Sequence, residues 1–245
     1  MQITFTFDQN DYAFVQDHCP EDYPVLPFVS AVDTFYTVLQ EHVGPCVLED
    51  VRLVKGIILP DFKTFEMMVE IDEDKKTIQL IGEDSVVHYK ATFEKYSVIP
   101  DNLLAQTSEM THLDGDYEFL FHGSMLQSIV SIQTDTPDKE AIGILKTAKG
   151  MEWSKTDWFF DPFACDGALQ MGCQLAFMAK QKASLPSKIK RTIFYKKAVD
   201  PRRREDDSTV LVHLIFQKMS GLQYIFDAHL FDNKHAPICS LEGVE

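Results

Sequence analysis

The sequence predicts an α+β protein made of two similar halves, each with one long buried helix and a set of antiparallel strands. Two segments of the 245-residue chain carry apolar residues at helical spacing, and strand-like runs stand before and after each of them. Between the halves, proline, glycine, aspartate and asparagine interrupt every periodic pattern from Ser97 to Asp116. We therefore place a first half at residues 1–98, a linker at 99–115 and a second half at 116–245.

The first half begins with an alternating strand over residues 2–7 and a loop over 17–24 that is rich in proline and acidic residues. The next segment predicts a helix, because its apolar residues form one stripe: Val29, Val32, Phe35, Tyr36 and Leu39. Strand-like runs then follow at 47–59, 64–71, 77–81 and 86–93. This order predicts a helix packed against an antiparallel meander.

The second half repeats the plan. Strand-like runs at 118–121 and 141–146 precede Pro162, which suits the first turn of a helix. The helix continues through an apolar stripe and ends before Pro186. More strand-like runs follow at 189–195, 209–216, 224–230 and 237–241. Because neither half shows alternating βαβ units or a glycine-rich phosphate loop, the pattern disfavours a Rossmann-type nucleotide site.

Charge and composition narrow the classes to which the protein can belong. The net charge of −15 opposes nucleic-acid binding at long range. No apolar run approaches the ~20 residues of a membrane span, and the first residues do not resemble a signal peptide. The five cysteines are scattered and odd in number, and no histidine spacing matches a metal motif, so we expect neither disulfides nor a metal site. We expect a cytoplasmic protein with reduced thiols.

One candidate catalytic residue lies near the start of each predicted helix. His18 lies in the loop that leads into the first helix, whose unpaired N–H groups can stabilise a developing negative charge. Asp166 lies one turn into the second helix among apolar neighbours, which favour the protonated carboxyl group of a proton donor, and Gln170 is placed to hydrogen-bond it from the next turn. The alternatives are that His18 only decorates a loop and that Asp166 only complements the helix dipole.

These residues also occur in an order that resembles a known family. His18 with Pro27 nine positions later resembles the H-x-x-x-G-x-x-x-x-P motif of dehydratase domains from polyketide and polyunsaturated fatty acid synthases. Asp166 with Gln170 resembles the D-x-x-x-Q signature of the same domains. Two further segments are similar to their (Tyr/His)-Gly-Pro-x-Phe-Gln and Leu-Pro motifs, at residues 121–127 and 185–189.

The resemblance implies a double hotdog fold, in which two hotdog halves share one active site. It implies that His18 is the base that removes the α-proton of a 3-hydroxyacyl thioester. Asp166, oriented by Gln170, would then assist departure of the β-hydroxyl group as water. The substrate would arrive on the phosphopantetheine arm of an acyl carrier protein, with no metal or dissociable cofactor, and a homodimer is expected. The positions implied to bind substrate are Pro27, Phe28, His122 and Gly123.

Departures from the family motifs keep other functions open. Asp22 and Phe28 stand where the family has glycine, and Ser124 and Leu126 replace a proline and an aromatic residue. These changes favour a non-catalytic, dehydratase-like module that binds carrier protein. An isomerase or cyclase that uses the same histidine and aspartate is the other alternative.

A basic segment in the second half contrasts with the acidic remainder of the chain. From Lys180 to Arg204 it carries ten basic residues and one acidic residue. Such a segment can dock an acidic carrier protein electrostatically, and the alternative is a solvated loop that balances nearby acids. The residues assigned to docking are Lys188, Lys190, Arg191, Lys196 and Lys197.

Overall fold

The computed structural model describes residues 1–83, 85–95, 112–114, 117, 120–155, 158–181, 184–195, 208–220 and 223–245. In chain order its strands and helices are β1 (Gln2–Phe7), α1 (Phe28–His42), β2 (Cys46–Leu53), β3 (Phe65–Asp72), β4 (Thr77–Ile81), β5 (Val87–Lys95), β6 (His112–Asp114), β7 (Ile129–Thr136), β8 (Glu140–Lys146), α2 (Pro162–Lys180), β9 (Lys188–Phe194), β10 (Thr209–Ser220), β11 (Gln223–Phe231) and β12 (Pro237–Val244). Short 3₁₀ helices, Ala13–Asp17 and Ser124–Leu126, stand before α1 and β7.

Within the described residues the strands form one antiparallel sheet in the order β1-β3-β4-β5-β2-β9-β12-β11-β10-β8-β7-β6. The same arrangement occurs twice: β1-β3-β4-β5-β2 belongs with α1, and β8-β10-β11-β12-β9 belongs with α2. In both sets, the strand that precedes the helix in sequence and the strand that follows it lie at opposite edges of the set: β1 and β2 for α1, and β8 and β9 for α2. Pairing of β2 with β9, with Leu48 opposite Thr192, joins the two sets. This mostly antiparallel sheet with two helices is consistent with a hotdog fold.

Both helices are buried over their first turns, at residues 28–36 of α1 and 162–172 of α2. The Asp161 side chain starts α2 by accepting hydrogen bonds from the N–H groups of Phe163 and Ala164, at 3.1 and 3.0 Å. Apolar residues of both halves pack into one continuous hydrophobic core. Among the described residues, no helix combines the length and the apolar character needed to cross a membrane.

Most predicted elements are present, and three differ. The predicted strand at 47–59 stops at Leu53, since Val54 and Lys55 turn to donate backbone hydrogen bonds to His88 O. No strand occurs at Leu120 or Phe121 of the predicted run 118–121, whose other residues lie outside the described part of the chain. Strand β7 was not predicted, because its serine, threonine and glutamine residues weaken the alternation.

The predicted linker at 99–115 lies largely outside the described residues. Its residues 112–114 form β6, which pairs with β7 at the edge of the sheet. The part of the predicted linker that the structure describes therefore contains a short edge strand.

Candidate active site

A cavity of about 470 Å³ lies where residues of the two halves meet. His18, Phe28 and Tyr89 reach it from the first half, and His122 and Asp166 reach it from the second. Most of the other lining residues are apolar: Val25, Leu26, Leu53, Leu120, Phe121, Leu169, Phe177 and Leu185. An apolar cleft with a few converging polar groups is the usual form of a small-molecule site.

The His18 ring is fixed by its own loop. The 3₁₀ helix Ala13–Asp17 ends next to His18, and Val25 donates its N–H to His18 O at 2.9 Å. His18 Nδ1 lies 2.7 Å from Val25 O. Because a carbonyl oxygen can only accept, Nδ1 carries the proton and Nε2 carries the lone pair. Burial lowers the pKa of His18 below its usual value, opposed by the charge of Asp166 and the bond to Val25. The imidazole is therefore held neutral and suited to accept a proton.

Asp166 is held from the next turn of α2 and from the segment before β7. The residue is only 3% exposed. Gln170 Nε2 donates to Asp166 Oδ2 at 2.6 Å and to Leu126 O at 2.9 Å. The four-residue spacing brings the amide and the carboxyl group together, and the backbone carbonyl fixes the amide in turn. The carboxyl group therefore has one defined orientation in the cavity.

His18 and Asp166 are 148 positions apart in sequence, and the fold brings their side chains close together. One ring nitrogen of His18, one of His122 and a carboxylate oxygen of Asp166 all lie within 4.8 Å of one another. His122 Nε2 is 3.5 Å from Asp166 Oδ2. Burial lowers the pKa of His122 to about 4, with Asp166 opposing the change and His18 adding to it. Two neutral imidazoles thus face one carboxyl group, and all three are of types that also bind transition metals.

The position of His122 depends on contacts that sequence reasoning did not identify. His122 pairs with His18 in an isolated antiparallel bridge. Next to it, Gly123 N donates to Asp17 O at 2.9 Å, and Met125 N donates to Asp17 Oδ2 at 2.7 Å. The contact of His122 with Asp166 and the role of Asp17 were both missed. The one signal for Asp17 is that it adjoins His18.

Pro27 and Phe28 occupy the start of α1. Pro27 precedes the first helical residue in an extended conformation. Phe28 is 6% exposed and lines the cavity, with its ring centroid 5.8 Å from that of Tyr89. The aromatic side chain thus fills part of the cavity at the start of α1, where the N–H of Ser30 donates to Pro27 O at 3.0 Å.

The basic residues assigned to docking are only partly described. Lys188 Nζ lies 2.7 Å from a carboxylate oxygen of Glu245. The Arg191 guanidinium lies 3.8 Å from a carboxylate oxygen of Glu49 and 3.8 Å from one of Glu242. Lys190 is exposed. These acidic partners offset part of the positive charge of β9. The other two residues, Lys196 and Lys197, lie outside the described part of the chain.

Comparison with known proteins identifies the fold. No family model matches the sequence. A variant of the GphF dehydratase made for improved crystallization has a TM-score of 0.83 at 15% identity, covering 99% of this chain and 91% of that chain. An isomerase-inactive variant of GphF DH1 has a TM-score of 0.78 at 17% identity, covering 99% and 90%.

A third similar structure has a comparable TM-score. It is a trans-AT polyketide synthase dehydratase domain from Brevibacillus brevis, with a TM-score of 0.79 at 16% identity, covering 100% of this chain and 92% of that chain. The likeness extends over nearly the whole chain in each case. The resemblance that the sequence motifs predicted is thereby confirmed for the fold: the chain has the fold of the dehydratase domains of polyketide synthases.

Proposed function

We propose that the protein is a dehydratase that eliminates water from a 3-hydroxyacyl thioester to give a 2,3-enoyl thioester. The observation that carries the proposal is the meeting of His18 and Asp166 at a buried, mostly apolar cavity. In this proposal the fold is a double hotdog, with hotdog halves at 1–98 and 116–245 joined by a linker at 99–115. The repeated strand order supports that division.

The reaction moves two protons and breaks one carbon–oxygen bond. His18 Nε2 takes the α-proton, and the electron pair left on the α-carbon forms the double bond to the β-carbon. The β-hydroxyl group departs with the proton of Asp166, so that water leaves and Asp166 becomes a carboxylate. The first turn of α1, at Phe28, stabilises negative charge that develops on the thioester oxygen. Each positioned acid or base contributes a factor of about 10²–10⁴ to the rate.

The contacts in the cavity indicate which residues would support His18 and Asp166 in this reaction. Gln170 keeps Asp166 in place through its two hydrogen bonds. His122, which lies against Asp166, and Gly123, whose backbone is held by Asp17, complete the substrate site together with Pro27 and Phe28. Both proton transfers use side chains, so the proposed reaction needs no metal or dissociable cofactor.

An acyl carrier protein is the proposed partner, because the apolar cavity suits an acyl chain delivered on a phosphopantetheine arm. Its acidic surface would dock on the basic segment, where Lys190 is exposed and Lys188 and Arg191 already have acidic neighbours. A cytoplasmic homodimer is the proposed working form.

Two alternative functions have specific support. An isomerase would use the same pair of residues to shift a double bond, and one similar structure is described as an isomerase-inactive variant. A non-catalytic carrier-binding module is favoured by Phe28, whose ring occupies cavity space where the family has glycine.

A panel of 3-hydroxyacyl thioesters on carrier protein and on a pantetheine mimic tests the proposal. Mass spectrometry should show the loss of water with wild-type protein and with His235→Asn, which replaces an exposed histidine outside the cavity. His18→Ala and Asp166→Asn should each slow the loss of water about 10²–10⁴-fold. Movement of the double bond in an enoyl thioester would favour the isomerase instead. Folded wild-type protein that binds carrier protein and dehydrates no member of the panel would contradict the enzyme.

A further inference from the structure

The cavity contains a set of side chains with the composition and spacing of a metal site. The set comprises the imidazoles of His18 and His122 and the carboxylate of Asp166, with one ligand atom of each within 4.8 Å of the other two. The closest pair, His122 Nε2 and Asp166 Oδ2, is 3.5 Å apart. Ligand atoms about 2.0–2.1 Å from a tetrahedral Zn²⁺ are about 3.3 Å from one another. Side-chain shifts of about 1.5 Å or less therefore complete that geometry.

The hydrogen bonds around the three side chains leave a lone pair available on each ligand atom. The bond from His18 Nδ1 to Val25 O turns the lone pair of Nε2 away from the backbone, as in many zinc sites. Gln170 Nε2 donates to Asp166 Oδ2 at 2.6 Å, the oxygen nearest to His122 Nε2, and a carboxylate oxygen keeps a second lone pair for a metal. His122 Nδ1 is buried and has no hydrogen-bond partner within the described part of the chain. Moving the ring proton of His122 onto Nδ1 therefore frees Nε2 for a metal without breaking a hydrogen bond.

The chemistry of the ligands selects the metal. Two imidazole nitrogens and one carboxylate oxygen suit Zn²⁺ and its transition-metal neighbours, whereas Mg²⁺ and Ca²⁺ prefer oxygen ligands. Three protein ligands with a fourth position facing a cavity are the arrangement of an open zinc site.

We propose that His18, His122 and Asp166 bind one Zn²⁺ ion and that this ion inhibits the enzyme. The inhibitory part rests on the function proposed above. Zinc would occupy the His18 lone pair that accepts the α-proton and an oxygen of the Asp166 carboxyl group that protonates the departing hydroxyl group. A metal-loaded protein is thus an inactive form that returns to activity when the metal is removed.

His122→Tyr is the informative variant, because it removes one metal ligand while an aromatic ring remains beside Phe121, on which the imidazole stacks. His235→Asn is the matched control. His235 is exposed and has a left-handed backbone conformation that asparagine tolerates. Both variants lose one histidine, so a difference between them reports on the cavity rather than on histidine content.

Metal-free protein is titrated with Zn²⁺ against a chromogenic chelator, and with Co²⁺, whose visible absorption reports tetrahedral coordination. We expect one ion per chain in wild type and His235→Asn, and at least about tenfold weaker binding in His122→Tyr. No saturable binding by wild type, or equal affinity in wild type and His122→Tyr, would overturn the site. These titrations contain no substrate and therefore do not depend on the proposed function.

Turnover of a 3-hydroxyacyl thioester is then followed against zinc occupancy. Inhibition that rises with occupancy and is reversed by EDTA supports the proposal. Full turnover by the zinc-loaded protein would overturn the inhibitory part. Protein that binds zinc but never dehydrates contradicts the proposed function and leaves the metal site standing, whereas protein that dehydrates and binds no zinc contradicts the metal site alone.

Discussion

Replacing Gly123 by alanine should disturb the contact that holds His122 in the candidate active site. A β-carbon on Gly123 would lie 2.5 Å from Asp17 Oδ2 and 2.8 Å from Oδ1, closer than van der Waals contact allows. Asp17 can relieve the overlap only by moving its carboxylate, which accepts the N–H of Met125 at 2.7 Å. The substitution therefore adds one methyl group and removes one charge-assisted hydrogen bond, from Met125 N–H to Asp17.

The size of the effect follows from that bond. Hydrogen bonds to charged groups contribute about 1.5–3 kcal/mol, and the partial exposure of Asp17 reduces this to about 1–2 kcal/mol. For a chain of this length the loss corresponds to a fall in Tm of about 2–8 °C. Because His122 adjoins the disturbed residue, dehydration should also slow, by up to about 10²-fold.

Thermal and urea unfolding of four proteins would test this reasoning: wild type, Gly123→Ala, Asp17→Ala and the double variant. Gly56→Ala is the matched control, since its added carbon would meet only Val25, at 3.6 Å, and should change stability by less than about 0.5 kcal/mol. In the Asp17→Ala background the Gly123 substitution should have almost no further effect, because the clashing carboxylate is gone. An equal loss of stability in both backgrounds would refute the steric explanation.

Three further outcomes are expected. Lowering the pH from 7 to 5 in EDTA should remove about 2 kcal/mol of unfolding free energy, because burial lowers the pKa of His122 to about 4 whereas the unfolded imidazole titrates near 6.5. The stability that neutral His122 contributes is complete above pH 6.5 and is lost as the pH falls toward 4. In urea unfolding, His122→Phe should lose much less stability over this pH range than wild type. Equal pH sensitivity of the two proteins would contradict the assignment of the loss to His122. Asp166→Asn should lower steady-state turnover about 10²–10⁴-fold with little change in Tm, since Gln170 can still donate to the amide oxygen, and undiminished turnover would exclude Asp166 as the acid. Phe28→Leu should raise kcat/KM for branched thioesters relative to unbranched ones, because the Phe28 ring lines the cavity, and an unchanged ratio would place the acyl chain elsewhere.

Local periodicity was sufficient to predict the helices and most of the strands. The apolar stripe of α1 and the Asp161-Pro162 start of α2 are properties of consecutive residues, and the structure shows both. The order of the strands in the sheet has no local signal. In particular, pairing of β2 with β9 joins residues more than a hundred positions apart, and the sequence on either side does not specify it.

The site shows the same division between local and long-range information. Gln170 was found because a four-residue spacing on a helix places two side chains together. The approach of His122 to Asp166 was not found, because residues 121–123 belong to no periodic element and depend on a bridge to His18. Asp17 was missed for a related reason. Its carboxylate bonds the backbone N–H of Met125, and any residue other than proline at position 125 would offer that group.

Two carboxylates of the first half bind backbone N–H groups of the second half close to the candidate active site. Asp17 Oδ2 accepts the N–H of Met125 beside the His122 segment, and Asp33 Oδ1, buried in α1, accepts the N–H of Phe160 at 2.8 Å just before α2 begins. A backbone N–H has a fixed direction, so each bond sets a distance and an orientation between the halves. His122 and Asp166 are the side chains delivered by the two segments so fixed. A site assembled from distant parts of the sequence can thus be as well ordered as one built on a single element, because its alignment is set by bonds from the same half that supplies His18.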